Sequence, residues 1–88
     1  MDNAEGAYYS YIIRSLVNGM FYIGSTGNLE DRLQRHNQGR SKFTKPYRPF
    51  ELVYSKSFQT KSEAVQHELK LKSMKSREHI LRIINEGS

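Results

Sequence analysis

Residues 7–24 read AYYSYIIRSLVNGMFYIG, and this stretch decides the fold. Two runs, 7–14 and 20–24, are rich in tyrosine and isoleucine and have the composition of strands. Between them Asn18-Gly19 tolerates positive φ at both positions, so the runs fold back on each other as an antiparallel hairpin. A two-residue loop at Asn18-Gly19 and a four-residue loop ending at Gly19 have the same consequence. Strand side chains alternate, and in either register Tyr9, Tyr11 and Tyr22 face one side. Any one of these rings has an ordinary use as core packing. Three phenols on one ribbon are less ordinary.

Downstream, Asn28 is a natural N-cap, with Glu30 and Asp31 in the first turn where the helix dipole favours acids, and Gly39 is a stop; a helix is predicted over 29–38. After a loop over 39–49, FELVYSKSF alternates Phe50, Leu52, Tyr54 and Phe58 with Glu51, Ser55 and Ser57, which predicts a strand with one buried face. Thr60 and Glu63 form a capping box opening a helix to about residue 74. A last helix over 77–85 gathers Ile80, Leu81, Ile83 and Ile84 on one side before Gly87. The order β-β-α-β-α-α gives an α+β class: a small, mainly antiparallel three-stranded sheet flanked by helices, in a single domain over 7–85. Spacing alone leaves the direction of the third strand open.

Eighty-eight residues build one modest core. There is no cysteine, which excludes disulfides, thiolate zinc sites and cysteine nucleophiles and fits a reducing, cytoplasmic setting. The opening MDNAEGA is acidic, unlike a signal peptide, and no apolar run approaches the roughly 20 residues that span a bilayer, so no membrane partner is expected. Fourteen Lys plus Arg against nine Asp plus Glu leave a charge of +5, which favours a polyanion, nucleic acid before anionic membrane.

Several residues break the structural pattern. On the second helix Ala64, Val65, Leu69 and Leu71 cover one arc, and Glu68 projects near its middle. A carboxylate there is paired, bound to a cation, or at the lip of a cleft; the plainest partner is Lys72 one turn on. On the first helix Arg32 and His36 run beside the Leu29–Leu33 stripe as an edge of nitrogen donors, while Arg35 faces solvent. The segment GRSKFTKPYRP interleaves Arg40, Lys42, Lys45 and Arg48 with Phe43 and Tyr47 and holds no acid, a mixture suited to phosphate contact and base stacking. Lys70, Lys72, Lys75 and Arg77 form a second basic run. Together these predict a nucleic-acid groove.

Tyr9-Ser10-Tyr11, Tyr22-Ile23-Gly24, Arg32 in NLEDRLQRHN and Glu68 in SEAVQHELKLK together resemble the GIY-YIG nuclease family, in particular its small stand-alone bacterial members. The family carries GIY in its first strand, YIG in its second, an arginine on the next helix and a glutamate on a later one. The match runs from Tyr8 to about Met74. Tyr9 and Ser10 replace the first two residues of GIY and keep its tyrosine. Some members carry lysine directly after YIG, where this chain has Ser25, and the family's C-terminal asparagine has no clear counterpart.

The resemblance implies a metal-dependent endonuclease acting on DNA, with structured or RNA substrates also open. Glu68 would ligate Mg²⁺ or Mn²⁺, a single carboxylate completed by water and phosphate being typical of magnesium. Arg32 would fork onto the non-bridging oxygens, and His36 would support the phosphate or relay a proton. Tyr22 or Tyr11 would be the general base, Tyr22 for preference, and nearby cations would have to lower its pKa of about 10. Arg40, Lys42, Lys45, Arg48 and Lys72 would hold the backbone of the nucleic acid. The competing expectation is a domain of the same fold that binds nucleic acid without cutting it. Monomer and homodimer are both compatible with the sequence.

Overall fold

The computed structural model describes residues 7–74 and 76–87. The acidic opening up to Gly6, and Lys75 of the second basic run, lie outside the described residues. Strands β1 (Tyr8–Ser15), β2 (Phe21–Thr26) and β3 (Phe50–Phe58) and helices α1 (Leu29–Asn37), α2 (Lys61–Ser73) and α3 (Arg77–Gly87) follow the expected order β-β-α-β-α-α. The sheet order is β2-β1-β3, and both pairings are antiparallel, which settles the direction of the third strand. No described helix is long and apolar enough to cross a membrane.

The hairpin closes through the four-residue loop. Ser15 N–H donates to Met20 O at 2.8 Å and Gly19 N–H to Ser15 O at 2.9 Å, with Gly19 at φ +78. That positive φ is a conformation glycine adopts without steric cost. The Ser15 hydroxyl accepts from the backbone of Val17 and Asn18 and donates to Tyr47 O at 2.6 Å, which ties the hairpin tip to the basic loop. Across the pairing Ile13 faces Tyr22 and Tyr11 faces Gly24, so Tyr9, Tyr11 and Tyr22 do share a face.

Strand β3 departs from the alternating pattern. Ile12 pairs with Tyr54 but Ile13 pairs with Leu52, so Val53 is an extra residue in a bulge. A bulge reverses the parity of the side chains beyond it. Phe50 therefore packs with Tyr11 and Ile13 on the α1 side, joined by Tyr22, Leu29, Leu33 and Tyr47. Val53 and Tyr54 pack with Ile12, Leu71 and Ile80 on the opposite side, beneath α2 and α3. The single buried face expected for this strand is in fact two half-faces, with Leu52 left 40% exposed. The sheet is the middle layer of three, with apolar residues buried on both sides.

Helix ends follow their capping residues. Asn28 accepts from Asp31 N–H, and the Thr60–Glu63 capping box is formed on both sides. Helix α1 stops at Asn37, with Gln38 as C-cap, one residue before the expected end. Asn37 then serves another purpose: its Oδ1 accepts from Phe50 N–H at 2.6 Å and its Nδ2 donates to Phe50 O at 3.2 Å, stapling α1 to the start of β3. On α3, Ile80 is buried and Ile83 and Ile84 are half-buried, whereas Leu81 faces outward.

Candidate active site

The register that places Gly24 opposite Tyr11 also lets the Tyr11 ring lie over it. A Cβ at position 24 would stand 2.6 Å from the phenol oxygen and 2.8 Å from Cζ, closer than real Cβ contacts come. The glycine of YIG thus makes room for the neighbouring tyrosine across the edge strand. Tyr11 is 2% exposed, and burial pushes its pKa up to about 12, against a lowering by the charge and hydrogen bonding of Arg32 and a further raising by Tyr22 and Glu68. Groups from β2, α1 and α2 therefore act on one phenol of β1.

His36, one turn beyond Arg32, is the buried residue of α1. Its Nε2 lies 3.3 Å from the Tyr11 oxygen, its Nδ1 lies 2.8 Å from Thr44 Oγ1, and its ring centroid is 4.9 Å from that of Tyr22. Burial, and then the charge of Arg32, hold its pKa below the usual imidazole value.

Glu68 stands between Ala64 and Leu71 on the buried stripe of α2, and its side chain is 16% exposed. Leu69, expected in that arc, is 59% exposed, so the stripe is narrower than the sequence suggested. Ser25 Oγ donates to Glu68 Oε1 at 2.7 Å, and Lys72 Nζ lies 2.7 Å from Oε2. The one-turn salt bridge is present, and the same carboxylate is close enough to Tyr11 to raise its pKa. Of the expectations for Glu68, the pairing with Lys72 is the one seen.

Two hollows flank Arg32, which lines both. One, about 350 Å³, is bounded by Tyr8, Ser25, Thr26, Gly27, Lys61 and Ala64. The other, about 420 Å³, is bounded by Tyr22, Arg35, His36, Arg40 and Ser41. Of the candidate residues, Tyr22, Arg32 and His36 thus border a groove along the β2 edge, while Tyr11 and Glu68 lie behind its walls. Among the described residues no group of three or more His, Asp or Glu could enclose a metal ion.

Of the basic residues, Arg40 lines the groove, and Lys42, Lys45 and Arg48 are exposed on the loop beside it, with Phe43 85% exposed. Tyr47 packs against the core beneath α1. Lys72 lies on α2, apart from the loop and engaged with Glu68. Arg77 of the second basic run stacks 4.6 Å from the Phe21 ring and donates to Gly19 O. Sequence reasoning missed Ser25 and Thr44 as partners of site residues. Ser25 follows YIG directly and was noted only for the lysine it replaces, while nothing local marks Thr44.

The family model described as the GIY-YIG catalytic domain matches residues 7–80. A UPF0213 protein of Staphylococcus saprophyticus is 41% identical over 91% of this chain and 96% of its own length. One of Oceanobacillus iheyensis is 44% identical over 76% of this chain and 78% of its own. The solution NMR structure of a UPF0213 protein from Bacillus halodurans aligns with a TM-score of 0.57 at 29% identity, covering 93% of this chain and 87% of that one. With the two-tyrosine hairpin, the α1 arginine and the α2 glutamate in place, the chain belongs to the GIY-YIG nuclease family.

Proposed function

We propose that this protein is a metal-dependent endonuclease that hydrolyses phosphodiester bonds in nucleic acid, DNA foremost, along the groove at the β2 edge. The observation that carries this reading is that Arg32 lines two adjoining hollows, one with Tyr22 and His36 and the other with Ser25, while Tyr11 lies 3.3 Å from His36 and Glu68 is bonded to Ser25. Arg32 is suited to neutralise the non-bridging oxygens with two parallel hydrogen bonds. Arg40, with Lys42, Lys45 and Arg48 on the adjoining loop, extends positive charge along the path of a backbone.

A single carboxylate beside a serine hydroxyl suits a hard cation that keeps most of its water, so Glu68 would hold Mg²⁺ or Mn²⁺ once the Lys72 ammonium leaves Oε2. When bound, the ion supplies charge neutralisation at the phosphate and the leaving oxygen.

The raised pKa of Tyr11 bears on the general base. At a pKa of about 12 only about one phenol in 10⁵ is ionised at pH 7, too few for a resting phenolate. A relay avoids that state: the attacking water gives its proton to the Tyr11 oxygen while the Tyr11 proton passes to His36 Nε2, 3.3 Å away. This contact makes Tyr11 the phenol able to hand a proton to His36 and leaves Tyr22, which lines the open hollow, to orient substrate.

The test is a cleavage panel of single-stranded, duplex and branched DNA and RNA in Mg²⁺ and in Mn²⁺, beside Glu68→Ala and Arg32→Ala. Cleavage should fall by about 10²-fold or more in each variant with the circular dichroism unchanged. A folded Glu68→Ala protein that still cuts ends this reading. A second reading, binding without cutting, is favoured by Ser25 after YIG and by the engagement of both Glu68 oxygens. It predicts salt-sensitive binding by the wild type and no product with either metal.

A further inference from the structure

The basic loop buries one side chain at the site. Thr44 is 2% exposed although Phe43 and Lys45 on either side of it are exposed, and its hydroxyl meets His36 Nδ1 at 2.8 Å and the Ser41 carbonyl at 3.5 Å. The direction of the hydrogens follows from the near end of this chain of contacts. The Thr44 hydroxyl has one proton, and it donates to the Ser41 carbonyl three residues back, a bond short hydroxyl side chains commonly make in helical turns. Toward His36 the threonine oxygen therefore accepts, so the neutral imidazole carries its proton on Nδ1. Its Nε2 is then a lone pair, 3.3 Å from the Tyr11 oxygen.

We propose that Thr44 is a positioning residue for the relay: by accepting from Nδ1 it holds His36 in the Nδ1–H form and turns the Nε2 lone pair toward Tyr11. Its catalytic consequence rests on the nuclease reading above. In the step so arranged, a water proton moves to the Tyr11 oxygen and the Tyr11 proton to His36 Nε2. The water oxygen bonds to phosphorus as the P–O bond to the leaving group breaks, and the leaving oxygen takes a proton from solvent. His36 ends as an imidazolium donating to Thr44 and to Tyr11. The groups facing it are Tyr11 of β1, Tyr22 of β2, Arg32 of α1, Thr44 of the loop and the apolar ring of Phe50. The loop that carries the exposed Lys42, Phe43 and Lys45 thus also carries the hydroxyl that orients the histidine.

Imidazole ¹⁵N NMR of the full chain at pH 8 tests this directly. His36 should give the Nδ1–H pattern in the wild type and in Thr44→Ser, and should shift toward the Nε2–H form in Thr44→Val. In the cleavage assay kcat should fall about 10- to 100-fold in Thr44→Val, with KM within about twofold, and recover in Thr44→Ser. An Nε2–H pattern in the wild type overturns the proposal, as does an unshifted Nδ1–H pattern in folded Thr44→Val. Absence of cleavage by the wild type would defeat the nuclease reading instead, and the NMR result would still decide what Thr44 does to His36.

Discussion

Replacing Gly24 by alanine separates the role of this glycine from the usual behaviour of glycine in strands. No left-handed φ is required at Gly24, so the added methyl would ordinarily stabilise by about 0.4–1 kcal/mol through the unfolded chain. Here the new Cβ would sit 2.6 Å from the Tyr11 oxygen and 2.8 Å from Cζ, where carbon contacts are normally about 3.5–4.0 Å. The ring must therefore withdraw by roughly 1 Å. It has little freedom to do so, because Tyr11 is 2% exposed and packed with Ile13, Phe50, Tyr22, Leu29 and Leu33. Overpacking of this kind costs about 1–3 kcal/mol, and each kcal/mol lowers Tm by about 4–8 °C in a domain of this size. The same withdrawal shifts the phenol oxygen relative to His36, which it meets at 3.3 Å, and a misplacement of that size costs about 10²-fold in turnover. Urea denaturation gives the first effect; cleavage at a temperature where both proteins are fully folded gives the second. A Gly24→Ala protein as stable as the wild type, or one that cuts at the wild-type rate, would refute this account of how Tyr11 is placed.

Other substitutions and conditions probe the surroundings. Asn37→Ala removes both bonds to the Phe50 backbone and should cost about 1–3 kcal/mol in urea denaturation; a loss below about 0.5 kcal/mol would show that the staple contributes little. His36 and His67 have folded pKa values below 6.5, His36 through burial and then Arg32, His67 through burial and then Lys56 and Lys70. The unfolded chain therefore takes up protons first on acidification. Stability should be full above about pH 6.5 and fall as pH drops toward the folded values, more shallowly in His67→Gln; a Tm that is flat from pH 8 to pH 5 would contradict this. In the relay only neutral His36 accepts a proton, so kcat/KM, which reports the free enzyme, should show an acid limb below pH 6.5, and a limb above pH 7 would exclude His36 as the acceptor. Arg40→Ala and Lys45→Ala should each weaken nucleic-acid binding uniformly across sequences and flatten the log K against log salt plot by about 0.7–0.9; unchanged slopes would place the backbone elsewhere.

Local features were legible in the sequence because they depend on residues a few positions apart. Asn18-Gly19 and the tyrosine-rich runs specify the hairpin, Asn28 and the Thr60–Glu63 box start the helices, and alternation puts Tyr9, Tyr11 and Tyr22 on one face. Glu68 was conspicuous because a carboxylate on an apolar stripe violates the pattern of its own helix. The absence of cysteine and the +5 charge narrowed the chemistry before any geometry was known. Misjudged positions share a cause: the outward turn of Leu69 and Leu81 and the inward packing of Tyr47 depend on what lies opposite each element.

Tertiary structure decided what depends on pairing between distant segments. The bulge at Val53, which divides β3 between the two cores, exists only in the register of β3 against β1. The same holds for the passage of Tyr11 over Gly24, and for the meeting of Ser25 with Glu68 across 43 positions and of Tyr11 with His36 across 25. The burial of Thr44 under His36 needs the loop to fold back on α1 after Asn37 has fixed the start of β3. The sequence by itself determined which side chains are candidates for the chemistry, since residue type and local period are written there. Only the packed sheet and helices determined their mutual distances and burial, because those follow from register and packing between elements far apart in the chain.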